Sequence, residues 1–269
     1  MKRILLVALA LVMCLSTVAL LSSCGCKEHT SSGEYEWDAN GHWLVCDNCE
    51  EKYEAADHQW GASSRVSVGT HKHACTVCKH EAYLTFKTDV TAEQFAAELG
   101  TNYTVIGEYF VVDSPNAKQD VGLTRADGKF CVETVATTSS GVNREVEFYE
   151  VVGDKVYEYE VDCDKDGNIT ACAKEEIDAT ADEVLARYEH VVLPTGLLDD
   201  MTKFTYNEES KMYEVAAISL QSGESLTNVK VGFEDGKLVM LEYVRFNTYS
   251  YSFEISYNNA VVNLPTVTQ

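Results

Sequence analysis

Apolar and polar residues alternate with a period of two through most of residues 87–269. Tyr249, Tyr251, Phe253, Ile255 and Tyr257 fall on one parity, and Ser250, Ser252, Glu254 and Ser256 on the other. Tyr157, Tyr159 and Val161 alternate with Glu158 and Glu160, and Val229, Val231 and Phe233 with Lys230 and Gly232. Successive strand side chains point to opposite faces, so these runs read as strands with one apolar face. Turn signals separate them at Asp127-Gly128, Gly153-Asp154, Asp166-Gly167, Asp235-Gly236 and Asn258-Asn259. The pattern predicts an antiparallel meander of about eight to ten strands with one wet face.

Two stretches change period. Thr91 opens T-A-E-Q, a capping box, and Gly100 after Leu99 is a stop; Phe95 and Leu99 share a helical face. Thr180 opens T-A-D-E, followed by the stripe Val184, Leu185, Tyr188 and Val191, and Pro194 ends it. Leu197-Leu198 reads as a short third helix. A one-sided sheet of this size has to cover its apolar face, by curling or by clasping the helices. This order of elements resembles the LolA-type fold, a curved half-barrel wrapped over helices, whose members include lipoprotein carriers and anchored lipoproteins. The resemblance spans residues 87–269 and rests on the order of elements. It implies an apolar cavity for acyl chains, and no lipid-contacting residue carries over.

The first residues have another pattern. Met1-Lys2-Arg3 is a basic start, Ile4–Leu21 is apolar apart from Ser16 and Thr17, and Leu21-Ser22-Ser23-Cys24 follows. This last tetrad resembles the lipobox of bacterial lipoproteins: an aliphatic residue, two small ones and a cysteine. The resemblance implies removal of residues 1–23 and a diacylglycerol on the Cys24 thiol. A plain signal peptide and a transmembrane helix are the competing readings; the small pair before Cys24 and Gly25 after it favour cleavage.

Composition divides the remainder. Six of the seven His, all three Trp and four of the ten Cys lie between His29 and His80. Within that stretch the chain repeats with a period of 29: His29, His42, Cys46 and Cys49 superpose on His58, His71, Cys75 and Cys78. The unit is H-x12-H-x3-C-x2-C, and little else between the copies matches. A C-x2-C turn presents two thiolates to one ion, and two imidazoles complete a closed tetrahedron. Units this short bury too little apolar surface to fold alone, so two structural zinc ions would supply the stability. Trp37, Trp43 and Trp60 would pack around the sites as local cores. Disulfides are the alternative in an exported chain, but they leave the register of the histidines unexplained. A second partition, His42, Cys46, Cys49 and His58, orphans His29 and calls on His80 for the other site. The segment resembles short Cys/His repeats beside the anchors of bacterial surface proteins.

The other candidates are weaker. Asp162 to Gly167 begins like a calcium loop, but position twelve is Ala173 where a bidentate Glu is needed, so an acidic hairpin turn is expected there and not a calcium site. Cys163 and Cys172 flank that turn and pair as a disulfide only if the turn centres on Gly167-Asn168. Cys131 reads as a buried small hydrophobe, and His190 as a cation at a helix C-terminus. No nucleophile elbow or phosphate-binding glycine loop is present.

The fold class expected is therefore α+β: an antiparallel curved sheet, a half-barrel clasping a helix pair, behind two small zinc-ribbon-like modules. The expected domains are a signal peptide (1–23), a lipidated tether (24–28), the Cys/His repeats (29–86) and the β-rich domain (87–269). A formal net charge of −22, more acidic still once Lys2 and Arg3 are removed, argues against nucleic acid as a partner. The function expected is non-enzymatic. The protein would be a monomer, lipid-anchored on the extracytoplasmic face of the cell membrane. Its β-domain would bind an apolar or lipid-like ligand. The alternatives are a structural or adhesive envelope module and a metal-uptake protein.

Overall fold

The computed structural model describes residues 28–96, 98–138, 141–164 and 167–268. Lipidation at Cys24, the signal peptide and Cys26 lie outside them. The chain divides into two compact units. The first runs to Ser64 and resumes at His71–Leu84; the second comprises Arg65–Thr70 and everything from Thr85 onward. Among the described residues no helix is long and apolar enough to cross a membrane.

The Cys/His region forms β1 (Glu36–Trp37), β2 (Gly41–Val45) and β3 (Lys52–Asp57), then β4 (Ser64–Ser67), β5 (Thr70–Ala74) and β6 (Glu81–Thr85), in two three-stranded sheets. β5 begins 29 residues after β2, so the repeat seen in the ligand-type residues is also a repeat of backbone.

The second unit is built on one sheet of eleven antiparallel strands. A first meander comprises β7 (Tyr103–Val111), β8 (Ser114–Ala126), β9 (Lys129–Thr138), β10 (Gly141–Val152), β11 (Lys155–Cys163) and β12 (Ile169–Ile177). A second comprises β13 (Thr205–Asn207), β14 (Met212–Ser219), β15 (Ser225–Glu234), β16 (Lys237–Arg245) and β17 (Tyr249–Ser256). The last strand of the second, β17, pairs with the first strand of the first, β7, and joins them into one sheet. At that seam Gly107 faces Phe253, and a Cβ on Gly107 would collide with the Ser252 carbonyl and the Phe253 ring. Glycine is therefore required there by close approach.

The expected α+β half-barrel with a helix pair does not form. The fold is mostly β, with 54% strand and only 8% helix. The first capping box is present: Thr91 Oγ1 accepts from Gln94 N–H, and Gln94 Oε1 accepts from Thr91 N–H. Yet the helix it starts, α1 (Ala92–Phe95), is one turn long. Its single apolar contribution, Phe95, meets Phe204, Tyr213 and Phe233 edge-on or tilted. The second box starts α2 (Ala181–Val192), through Thr180 and Glu183. Leu197 and Leu198 form no third helix; they are buried turn residues before a 3₁₀ turn at Met201–Lys203. A single turn saturates few of its own backbone groups, so burial of Phe95 and not helix propagation holds α1 in place.

The interior is filled by the protein's own side chains. Phe95, Leu99, Tyr103, Leu197, Leu226, Phe233, Leu241 and Phe253 belong to one buried cluster. Farther along the sheet, Val184 and Leu185 of α2 cover Phe130, Tyr149 and Val156. The opposite face of the same strands is dry as well. There Phe148, Tyr159 and Cys172 are covered by Val262, Ala260 and Leu264 of the C-terminal segment. Thr268 ends that segment on β12, with its N–H donating to the Cys172 carbonyl at 3.0 Å and its Oγ1 accepting from Cys172 N–H at 2.9 Å. Both faces are thus covered across β9–β11, where one wet face was expected, and a tail without periodic pattern covers the second.

Residues 65–70 fall inside the second Cys/His repeat in sequence but belong to the second unit. Arg65 Nε and Nη2 donate to the Glu234 carboxylate at 3.0 Å each, and Gly69 N–H donates to the same group. Arg65 Nη1 also reaches Glu254. Val68 packs with Met212 and Val239, and a Cβ on Gly232 would stand 2.8 Å from it.

Candidate metal centre

Each C-x2-C pair sits in a turn that the sequence writes twice. Glu50 N–H donates to the Cys46 carbonyl and Lys79 N–H to the Cys75 carbonyl. Cys46 N–H donates to the Glu51 carbonyl, and Cys75 N–H to that of His80. Glu50 and Lys79 both take left-handed backbone, with φ of 58° and 64°. These bonds fold the backbone so that N–H groups point at sulfur. The Cys46 thiol receives them from Asn48, Thr30 and Cys49, and its pKa falls to about 6. Burial alone would push the Cys75 thiol up, but bonds from Cys78, the His58 side chain, Val77 and Gln59 outweigh it and bring it to about 6 as well. Such thiols ionise near neutrality, the state a metal requires.

Four donors converge: His42, His58, Cys75 and Cys78, with ligand atoms within 4.8 Å of one another. His42 and Cys75 are buried. His58 Nε2 donates to the Asp38 carbonyl at 2.7 Å, which leaves Nδ1 directed at Cys78 Sγ, 3.4 Å away. An outer hydrogen bond of this kind fixes the tautomer and aim of a metal-bound imidazole. His42 Nδ1 lies 3.9 Å from Cys75 Sγ. A second group has three members, His29, Cys46 and Cys49, with His29 Nδ1 3.7 Å from Cys49 Sγ. Both groups are of a composition that can hold a metal ion. Cys49 is disulfide-bonded, whereas Cys75 and Cys78 are thiols. In the disulfide state Cys49 offers no thiolate, so the two groups are chemically unequal.

The ligand sets differ from the spacing-based assignment. His42 does not close the first set with His29, Cys46 and Cys49; it reaches forward to the Cys pair of the next repeat. His71, its counterpart, belongs to neither group. The second partition joined His42 with His58, but around Cys46 and Cys49 and not around Cys75 and Cys78. The tryptophans are not local cores either. Trp37 is 50% exposed and Trp60 39% exposed. They stack on histidines instead, Trp37 on His80 at 3.9 Å and Trp60 on His73 at 4.1 Å, while Lys52 lies over Trp43.

The remaining candidates resolve simply. Between β11 and β12 the Asp164 carboxylate accepts from Asn168 N–H at 2.9 Å. The register sets Cys172 opposite Val161 and Cys163 opposite Ile169, so the cysteines do not face each other and both are free. Burial pushes the partly buried Cys131 thiol up to about 11. His190 Nδ1 donates to the Ala186 carbonyl at 2.7 Å in the last turn of α2.

No family model matches the chain, and no curated protein matches it.

Proposed function

We propose that this chain is an exported lipoprotein tethered through Cys24, with a zinc-held first unit and a non-enzymatic β-sheet unit that serves as an interaction module. One observation supports the zinc reading most: the convergence of His42, His58, Cys75 and Cys78, with the His58 ring aimed by Asp38. Two thiolates and two imidazoles suit zinc, and full protein coordination leaves no position for a reacting water. The site is therefore structural. Because His42 comes from the first repeat and the other three ligands from the second, one ion fastens both repeats. His29, Cys46 and Cys49 take a second zinc once Cys49 is a free thiolate. For the β-sheet unit, an interior occupied by Phe95, Leu197 and Phe253 favours interaction with macromolecules over an acyl-chain cavity.

Native mass spectrometry of the reduced full chain tests the metal reading. Retention of zinc that is lost in His42→Ala and in Cys75→Ser supports it. Zinc retained unchanged in His42→Ala would return the ligand set to a single repeat. Incorporation of labelled palmitate that disappears in Cys24→Ala tests the anchor.

A further inference from the structure

The two edges of the eleven-stranded sheet are treated differently. The β12 edge is guarded: it carries Lys174, Glu175 and Glu176, its turn is bulged at Asp162/Cys163, and Thr268 pairs with Cys172. These devices prevent an edge from recruiting another strand. At the opposite edge β13 pairs only with Met212–Glu214. Beyond that point the outer side of Val215–Ser219 has no partner among the described residues. The uncovered sequence is Val-Ala-Ala-Ile-Ser, without charge or proline; the irregularity beside it, at Asn228, lies on the neighbouring strand β15. Ala216, Ala217 and Ser219 are exposed, and Ile218 is buried and anchors the strand. A groove lined by Thr205, Glu214, Val215, Ala216, Asn228 and Lys230 opens beside it.

We propose that Val215–Ser219 is a docking edge for an extended, cationic segment of another protein, which adds to the sheet as a twelfth strand. This deepens the interaction reading of the second unit and depends on neither the metal nor the anchor. Main-chain bonds to the open edge supply affinity, and alternate side chains supply specificity. Charge selects the occupant. The chain has a formal net charge of −22, Glu214 borders the open stretch, and the one cation of the groove, Lys230, is paired with Glu242 at 3.0 Å. A second copy brings the same negative charge to the same edge and is repelled, whereas a lysine- or arginine-rich strand is drawn in. The alanines leave room beside the backbone for long basic side chains.

The test uses the full chain and a short, end-capped peptide of alternating lysine and valine, with an alternating glutamate–valine peptide beside it. Saturable binding of the cationic peptide is expected, falling with added salt, together with slowed amide exchange confined to Val215–Ser219. Ala217→Lys is expected to weaken binding by about tenfold or more, since lysine guards a natural edge, while Ala217→Glu retains it. Both substitutions fall on an exposed position, and an unchanged urea midpoint shows that the fold is intact. Equal binding to Ala217→Lys, or equal binding of the glutamate peptide, overturns the proposal. So does a dimer of the wild-type chain that Ala217→Lys dissolves, because the occupant is then a second copy. These outcomes leave zinc content and palmitate labelling untouched, so failure here is separable from failure of the metal or anchor reading. Peptide binding that maps elsewhere on the second unit overturns the edge but keeps the interaction reading.

Discussion

In the first unit the described side chains that reach burial are Cys46 and Cys75, with His42 and Leu44 beside them. In the second they include Phe95, Tyr103, Leu123, Phe233, Leu241, Phe253 and Ile255. One unit buries metal-ligand donors around which two tryptophans stay largely exposed. The other buries aromatic and aliphatic residues from both meanders. Burial of apolar surface contributes roughly 25 cal/mol per Å², so the second unit has an ample driving force and the first has little. Buried thiols and imidazoles without an ion are poor compensation for chain entropy. The difference teaches where each unit is vulnerable: the first to loss of a cation, the second to faults in packing.

The largest expected effect follows directly. Structural zinc contributes an apparent ~10–16 kcal/mol in small modules at neutral pH. A strong chelator under reducing conditions is expected to open residues 28–64 and 71–84 to protease while the second unit keeps its urea midpoint. Limited proteolysis with mass mapping reads this. Unchanged resistance of the first unit would break the comparison, because its stability would then have a source other than the ion.

The next effect tests unit membership against sequence membership. Arg65 lies within a Cys/His repeat, yet its side chain and that of Glu234 are each only 7% exposed and paired with each other. Arg65→Leu strands a buried carboxylate, which costs about 3–5 kcal/mol. The loss should appear in urea unfolding of the second unit, followed by its buried tyrosines, with zinc stoichiometry unchanged. The double variant Arg65→Leu/Glu234→Leu is expected to recover much of it, since removing both partners removes the unpaired charge.

How much of this was legible in the sequence follows the same divide. Local chemistry was readable. Thr91 and Thr180 began helices where their capping boxes stood, and Asp127-Gly128 and Asp235-Gly236 became hairpin turns with both residues at positive φ. The 29-residue period reappeared as a repeated turn around each cysteine pair. What failed was long-range. The turn between β16 and β17 places Phe246 and Asn247 at φ of 54° and 52°, a conformation no propensity assigns to phenylalanine. The tail at 260–268 has no periodic signal, yet it covers the Tyr157, Tyr159 and Val161 parity, whose alternation read as apolar without naming what covers it. His42 stands four residues before Cys46 and 33 before Cys75, so spacing favours the nearer pair, and tertiary approach brings it to the farther one. The helix pair failed because Phe95 needed one turn, not a long helix, to fill its place.

A smaller effect probes the seam of the second unit. Gly107→Ala drives a methyl against the Ser252 carbonyl and the Phe253 ring. Overpacking of this kind costs about 1–3 kcal/mol. The expected result is a lower urea midpoint with the β-sheet circular dichroism retained. A neutral outcome would show that β7 and β17 can separate without penalty, and that the two meanders are less one sheet than their pairing implies.

The smallest effect is at the N-terminus of α2, where Thr180 Oγ1 accepts from Glu183 N–H and the Glu183 carboxylate accepts from Thr180 N–H at 2.8 Å. That bond holds the Glu183 carboxyl below its usual range. Thr180→Ala removes one of the reciprocal bonds and is expected to cost about 1 kcal/mol. A carboxyl whose folded pKa is depressed stabilises the fold above its unfolded pKa, and this is lost as pH falls through the lower, folded value. Glu183→Gln keeps a hydrogen-bonding side chain but removes that titration. It should therefore flatten the acid limb of the stability–pH curve slightly, while Thr180→Ala lowers the curve at neutral pH. Both changes are expected in the second unit alone. A Thr180→Ala variant that also altered zinc retention would mean that the packing of α2 reaches the first unit, and the two sources of stability would no longer be separate.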